Sequence, residues 1–407
     1  MPDDGSLAAE RLARIAGCSA GRPGVTRLPW TPEHRAALQE IEAWMRDAGL
    51  EVALDAAGTL RGRSPAAAAT PRLLLGSHQD SVRRGGAYDG IMGIALGCLA
   101  AARFRDRWDA LPFGLEVLAF ADEEGVRFPT ALIGPRALAG TLDPAVLMMR
   151  DADGVEMGAA MRDFGVETSG LASLADWDAP PVGYLEAHIE QGPVLERAGQ
   201  PLGIVTAICG IARYAVTVAG ETGHAGTVPM RGRRDALVGA ARMIDAVARE
   251  AVEAGEIRAT VGTLTLGPGA VNAIPDRVAF TLEVRAPRDA ARDAFVARMK
   301  ERFASLAQAE GLGVTMERTY AQAATACDPG LMAALATGAG GDAPHLPSGA
   351  THDASAMADL CPVAMLFLPC RGGVSHRPDE YAAPEDMGAA VDALEGAIRA
   401  LAARTPR

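Results

Sequence analysis

Aromatic residues are scarce in this chain, at 4% of 407 positions. Ala, Leu and Val must therefore fill the interior that a 49% hydrophobic composition allows. An excess of basic charge is also missing: 39 Lys and Arg face 51 Asp and Glu, a net charge of −12. That argues against nucleic acid and anionic membrane as partners, because both require a basic surface. An anionic small molecule stays open, since a few local arginines can outweigh the global field. No apolar run reaches the roughly 18 residues of a membrane span, and the acidic start "MPDDGS" is unlike the basic start of a signal peptide. There is no C-x-x-C pair. Cys18, Cys98, Cys209, Cys327, Cys361 and Cys370 are scattered, and they read as buried free thiols of a reducing compartment, by default the cytoplasm. Internal repeats and long low-complexity tracts are absent, and "SPAAAATP" over 64–71 reads as a short loop.

What the chain does have is length for two domains and strand-like runs alternating with helices. "TPEHRAALQEIEAWMRDAG" predicts a helix with Thr31 as cap, Pro32 in the first turn, and Leu38, Ile41, Trp44 and Met45 on one face. "RLLLG", "GLEVLAFADEEG", "VGYLEAHIEQG" and "VAMLFLP" are apolar strands that run out into polar groups. Such an order implies an α/β fold with a central mixed sheet covered by helices, and ligands in such sheets sit beyond the carboxyl ends of the strands. The middle differs. "ARYAVTVAG", a helix from 234, "IRATVGTLTLG", "DRVAFTLEVRAP", a helix from 289 and "GVTMERTY" follow the order βαββαβ of the ferredoxin-like arrangement. The expected division is a discontinuous domain of residues 1–210 and 322–407 with an inserted domain of 211–321.

The chemistry gathers at strand ends. In "GSHQDSVRRGGAYDGIMG", residues 76–93, His78 and Asp80 lie two apart on an extended segment and so point the same way. The aspartate can fix the tautomer of a metal-bound imidazole, and glycines let the backbone carry Asp89 close to a metal. In "FADEEGVRF" the adjacent Glu123 and Glu124 follow an apolar strand. Their repulsion is offset if one binds a metal, which leaves the other as general base. "EAHIEQG" adds His188 and "GGVSHRP" adds His376. Taken singly, each fits a structural histidine or a solvated acid. Converging on one sheet edge, they fit two divalent ions that share a carboxylate, of a borderline kind such as Zn²⁺.

With "GSHQDSV", "GGAYDG", "DEEGVRF", "HIEQGP", "GHAGTVPM", "VNAIP", "EVRAP", "GATHDA" and "GGVSHRPDE" in this order over nearly the whole length, the chain resembles the hydantoinase/carbamoylase family of dinuclear-metal amidohydrolases. That family includes allantoate amidohydrolases, N-carbamoyl-L-amino acid hydrolases and β-ureidopropionases, within the superfamily of zinc exopeptidases and aminoacylases. The resemblance implies that His78 and His188 complete one metal site, Glu124 and His376 the other, and Asp89 bridges them, with Zn²⁺ or Mn²⁺ as the ions. It implies Glu123 as general base, Asp80 behind His78, and an inserted lid that also builds a homodimer. That lid would supply His224 and Asn272 to stabilise an oxyanion and Arg285 to hold a carboxylate, in part across the subunit interface. Gln191 would contact substrate, and His352 would face it or stand behind the ligands. Gln79, Pro135 and Thr351 depart from residues common in relatives, which leaves the substrate open. His34 and His345 are assigned no role. The expected reaction is hydrolysis of a linear amide, removing the ureido group of an amino-acid-like carboxylate. The alternatives are an aminoacylase or dipeptidase, and a metal-binding protein without catalysis.

Overall fold

The computed structural model of the protein describes residues 3–66 and 70–405. Ala67, Ala68 and Ala69, within the loop expected over 64–71, lie outside the described residues. The chain divides into two compact units, one of Met1–Thr206, Cys327–Leu346 and Thr351–Arg407, the other of Ala207–Ala326 and Pro347–Ala350.

The first unit contains β1 (Glu51–Leu54), β2 (Leu60–Arg63), β3 (Arg72–His78), β4 (Gly114–Phe120) and β5 (Gly183–Ile189), and the chain leaves it along β6 (Gly203–Ile208). The second contains β7 (Gly210–Ala219), β8 (Arg258–Thr260), β9 (Leu264–Gly267), β10 (Arg277–Ala286) and β11 (Gly313–Gln322). The chain returns along β12 (Thr325–Ala326), followed by β13 (His345–Ser348) and β14 (Val363–Leu368). Among the described residues one sheet runs β1-β2-β4-β3-β5-β14-β6-β12, with β13 also on β6. Its centre is parallel: β3 pairs with β4 and β5, and β14 with β5. The outer pairs β1–β2, β2–β4 and β14–β6 are antiparallel, so the sheet is mixed; the alternation of apolar strands and helices accounts for its parallel centre.

Strands β4, β5 and β14 are buried at every position. That explains their continuous apolar runs, because helices cover both faces of such strands and neither face needs polar residues. Helix Ile91–Ala102, buried at eleven of its twelve residues, packs on β3, β4 and β5. Ahead of it, helix Pro32–Asp47 starts at Thr31, whose hydroxyl accepts from the His34 amide, and buries Leu38, Ile41, Trp44 and Met45. A buried ion pair crosses the sheet between Arg61 of β2 and Glu116 of β4, with Nε 2.6 Å from Oε1.

In the second unit β11-β7-β10-β8 form an antiparallel sheet, with β9 also on β10. Helices Ala236–Ala254 and Asp289–Glu310 contribute Met243, Val247, Phe295, Met299 and Phe303 to a core with Val216, Val278, Phe280 and Leu282. Burial alternates along β10, the pattern of a sheet covered on one face. The single strand expected from "IRATVGTLTLG" is broken here. Its two halves pair with opposite ends of β10. Between them, the Thr281 hydroxyl accepts from the Thr263 amide at 3.1 Å, so a side chain replaces part of the backbone ladder.

Candidate metal centre

Parallel β3, β4, β5 and β14 all end at the same edge, and each runs out into one of the polar segments. Among the described residues, three of the six non-glycine residues with positive φ lie there: Asp122 (60°), Gln191 (56°) and His376 (58°). Strained backbone of this kind persists only where the surroundings enforce it, and it concentrates at functional sites.

Asp89 occupies the middle. Its Oδ1 is 3.0 Å from His188 Nε2 and 3.9 Å from His78 Nε2. Its Oδ2 is 3.0 Å from His376 Nε2. Glu124 Oε1 is 3.7 Å from the same His376 nitrogen, and Glu123 Oε2 is 4.0 Å from His78 Nε2. Two groups of potential ligand atoms thus share one carboxylate: His78, Asp89 and His188 on one side, Asp89, Glu124 and His376 on the other, each within 4.8 Å. Gly90, at φ 67°, makes this possible, since a Cβ there would stand 2.4 Å from the His78 ring.

The electrostatics are those of an acid-rich and largely buried cluster. Burial, then Glu124 and further carboxylates, push the Glu123 pKa well above its usual value. Burial and Asp89 push Glu124 up to about 8. Burial and Asp80 likewise raise Asp122, and burial and Glu186 raise Asp353. Asp89 goes the other way: burial works to raise it, but hydrogen bonds from His188 and His376 hold it well below the usual range. Those bonds help hold His188 and His376 up at about 9, in His188 against burial. Glu124 Oε1 is buried without a hydrogen-bond partner among the described residues. Imidazole nitrogens and carboxylate oxygens at this spacing, with a carboxylate oxygen left over and several acids resisting ionisation, fit divalent cations of the Zn²⁺ or Mn²⁺ kind.

The Asp80 carboxylate has a different task from the one expected. It lies 3.8 Å from His78 Nδ1, whereas the Asp80 backbone carbonyl is 3.1 Å from that nitrogen. The carboxylate accepts instead from the Glu123 amide at 3.1 Å and the Glu124 amide at 3.2 Å. At the end of β3 the side chain turns towards the end of β4, where two backbone donors require an acceptor. Gln191 donates to Asp89 Oδ2 at 3.0 Å, within the cluster itself. His352 is 1% exposed, its ring edge-on to His188 with centroids 4.6 Å apart. It lies beside Glu186 and His188 as a third group of possible ligands.

The remaining expected residues lie in the second unit. His224 and Asn272 are exposed on adjoining loops, tied by a bridge between His224 and Ala273 and by the Ala225 amide on the Asn272 carbonyl at 2.9 Å. Arg285 is not with them. It stands at the far end of β10, eight residues beyond Arg277 or about 27 Å along an extended strand. There it donates to Glu283 at 2.7 Å and to the Gly349 carbonyl at 2.6 Å.

Sequence reasoning missed Glu380. It is 5% exposed, and its Oε1 accepts from the amides of Tyr88 and Asp89 at 2.9 and 3.0 Å. Burial, with Asp89 next, pushes its pKa up to about 7. An acid two residues after Pro378 looks like a solvated loop charge, and only the fold brings it beside residue 89. Asp353 was missed in the same way, and Asp122 although it follows the apolar run of β4 as Glu123 does; both are fully buried.

Comparison with known proteins agrees with this architecture. The model of the peptidase family M20/M25/M40 matches residues 74–400. The N-carbamoyl-L-amino acid amidohydrolase of Geobacillus stearothermophilus is 39% identical over 93% of this chain and 94% of its own length. The allantoate deiminase of Arabidopsis thaliana is 37% identical over 94% of this chain and 80% of its own. A crystal structure of an amidase of the hydantoinase/carbamoylase family from Burkholderia multivorans superposes with a TM-score of 0.89 at 33% identity, covering 98% of both chains. Matches of this extent agree with the motif order in the sequence, and the chain belongs to the M20/M25/M40 peptidase family, in its hydantoinase/carbamoylase branch.

Proposed function

We propose that the protein is a metal-dependent amidohydrolase that removes the ureido group from an amino-acid-like carboxylate, such as allantoate or an N-carbamoyl-L-amino acid. The observation that carries this reading is Asp89, with one oxygen on His188 and the other on His376. His78, His188 and Asp89 would hold one divalent ion, and Asp89, Glu124 and His376 a second. Together the ions would supply an acidified water and polarise the amide carbonyl. Glu123 takes the proton of the attacking water and delivers it to the departing nitrogen. A buried carboxyl whose pKa is raised suits a group that must hold a proton between two steps. The carbon–nitrogen bond breaks, ammonia leaves, and the remaining carbamate loses carbon dioxide. Asp80, through the amides of residues 123 and 124, keeps the base and its neighbouring ligand in place.

Arg285 suits a substrate carboxylate by a two-pronged hydrogen bond, and His224 with Asn272 suits the oxyanion. Their separation along β10 supports a homodimer in which Arg285 of one subunit works with the other pair from the partner. Among the described residues, seven of the twelve exposed large hydrophobic residues lie in the second unit, including Val252, Leu264, Leu266 and Val271, which also favours association there. No helix among the described residues is long and apolar enough to cross a membrane. All six cysteines are free, which supports a reducing compartment such as the cytoplasm.

The test is ammonia release by purified protein reconstituted with Mn²⁺ or Zn²⁺, on allantoate, several N-carbamoyl-L-amino acids and N-carbamoyl-β-alanine. N-acetyl amino acids are scored for free amino acid. Ammonia from one of the ureido compounds is expected. Silence on all of them with cleavage of the acetyl substrates would make the protein an aminoacylase, and metal uptake without any turnover would leave it a binding protein.

A further inference from the structure

We propose that Glu380 is the positioning residue of the metal centre, a carboxylate that clamps the Asp89 loop to the His376 loop and fixes Asp89 between the two ion sites. The inference rests on the reading of Asp89 as the shared ligand.

The Asp89 loop follows Gly85 and Gly86 and ends in Gly90. Glycines at both ends leave a segment with much conformational freedom to lose, and the side chain that reaches furthest across from it is the ligand carboxylate of Asp89 itself. Consecutive amides of Tyr88 and Asp89 both point at one Glu380 oxygen, at 2.9 and 3.0 Å. The other Glu380 oxygen lies 2.8 Å from the Ser375 hydroxyl, which is also 3.0 Å from Asp89 Oδ2. That hydroxyl has one proton and serves either carboxylate in turn, so it links backbone clamp and ligand oxygen. Ser375 adjoins His376, and the same carboxylate, 291 residues from Asp89 in sequence, therefore ties the two ligand loops together.

Gly86 reports the closeness of this fit independently. Its φ is not positive, so conformation does not demand glycine. Yet a Cβ there would stand 2.1 Å from Glu380 Oε1 and 2.5 Å from Glu380 Cβ. The obstruction reaches the root of the glutamate side chain, so swinging its tip aside would not relieve it. The loop is glycine here because Glu380 occupies the space.

A residue that acts through the shared ligand should affect both ions together, unlike a ligand of one site. In Glu380→Ala the protein must order the Asp89 loop when metal binds. The affinity for both ions should fall about 10- to 100-fold, the range for removing an outer partner of a metal ligand. Glu380→Gln keeps an oxygen to accept from the two amides and should restore binding to near the wild-type level. Titration of metal-free protein with Mn²⁺ or Zn²⁺, read by calorimetry and metal content, measures this directly. Amide hydrogen exchange at Tyr88 and Asp89 in metal-free protein gives a second readout, expected to be faster in Glu380→Ala and normal in Glu380→Gln. If Glu380→Ala does not fold, Glu380→Asp withdraws the oxygen by one methylene and keeps the charge, with the same two readouts. Unchanged affinities and unchanged exchange in the folded variant would overturn the proposal. So would equal losses in Glu380→Ala and Glu380→Gln, which would assign the effect to charge. A wild-type protein that takes up no divalent ion would defeat the reading of the centre instead, while the exchange data would still judge the clamp.

Discussion

Strands β5 and β10 are each the backbone of their unit, and they use polar residues in opposite ways. All seven positions of β5 are buried, Glu186 and His188 included. Along β10 burial alternates, and Arg277, Thr281, Glu283 and Arg285 fall on the less buried face. A polar side chain on a strand covered on both sides has to be matched by partners, because leaving it unsatisfied costs several kcal/mol. Glu186 meets the Ser77 hydroxyl at 3.1 Å and the Ala354 amide at 2.9 Å, and His188 meets Asp89. On a one-sided sheet a polar residue needs no such reason. Residue type is therefore strong evidence for function in the first unit and weak evidence in the second.

The sharpest way to break this comparison is to remove the chemistry from the first unit without disturbing its fold. Glu123→Gln preserves shape and hydrogen-bonding atoms while removing the base. Turnover is expected to fall by about 10⁴-fold, ~5.5 kcal/mol of barrier, with metal content and thermal midpoint unchanged. Steady-state kinetics beside metal analysis decide it, and retained turnover would remove Glu123 from its role.

The converse applies to the second unit, where the matching change should cost stability. Phe280 is 2% exposed, and its ring meets that of Phe303 with centroids 6.1 Å apart. Phe280→Ala should destabilise by about 3–5 kcal/mol through lost burial and a cavity, read as a shift in the denaturant midpoint. Separate unfolding transitions for the two units would sharpen the contrast, since only one should then move. A loss below about 1 kcal/mol would mean that this core is loose.

The same contrast explains what could be read from sequence. His78, Glu123, Glu124, His188 and His376 were legible because each follows an apolar run, and a polar group at the end of a buried strand is conspicuous. Glu380 and Asp353 were not, since nothing local marks those acids as buried and their surroundings come from elements remote in sequence; Asp122 carries the same local signal as Glu123, which it precedes at the end of β4. Asp80 stands beside His78, but its bonds to the two amides of residues 123 and 124 could not be read, because the β3–β4 pairing that aims it at them is a property of the sheet order. The break between β8 and β9 escaped notice because "IRATVGTLTLG" alternates smoothly and the deciding hydroxyl belongs to Thr281 of another strand.

Two buried histidines of the first unit sharpen the comparison further. His188 is held up at about 9 by Asp89 against its burial. His34 has no such carboxylate. Burial, then Arg27 and Arg35, push it down to about 3, its Nδ1 accepts from the Trp30 amide at 2.8 Å, and its ring stacks on Phe164. The unfolded chain takes up a proton near the ordinary value of about 6.5 and the folded one does not. The stability contributed by neutral His34 is thus complete above about pH 6.5 and is lost as pH falls towards 3, with a slope approaching about 1.4 kcal/mol per pH unit. His34→Gln should show a shallower loss of stability between pH 6 and 4 in urea titrations. Equal slopes would place the acid sensitivity elsewhere.

The smallest effect belongs to the break in the second sheet. Thr281 lies on the exposed face of β10, and its hydroxyl accepts from the Thr263 amide and lies 3.1 Å from the Thr263 hydroxyl. Thr281→Val keeps the β-branched shape and removes only the oxygen. The amide it releases is at the surface and can turn to water, so the loss should be near the net value of a single hydrogen bond, about 0.5–1 kcal/mol. Exchange at the Thr263 amide should quicken, while the amides of β7 opposite β10 keep their protection. If the loss instead reached the several kcal/mol of Phe280→Ala, the exposed face would be bearing structural weight. Polar residues on β10, Arg285 among them, would then deserve the same inference from residue type to role that holds for the buried strands of the first unit.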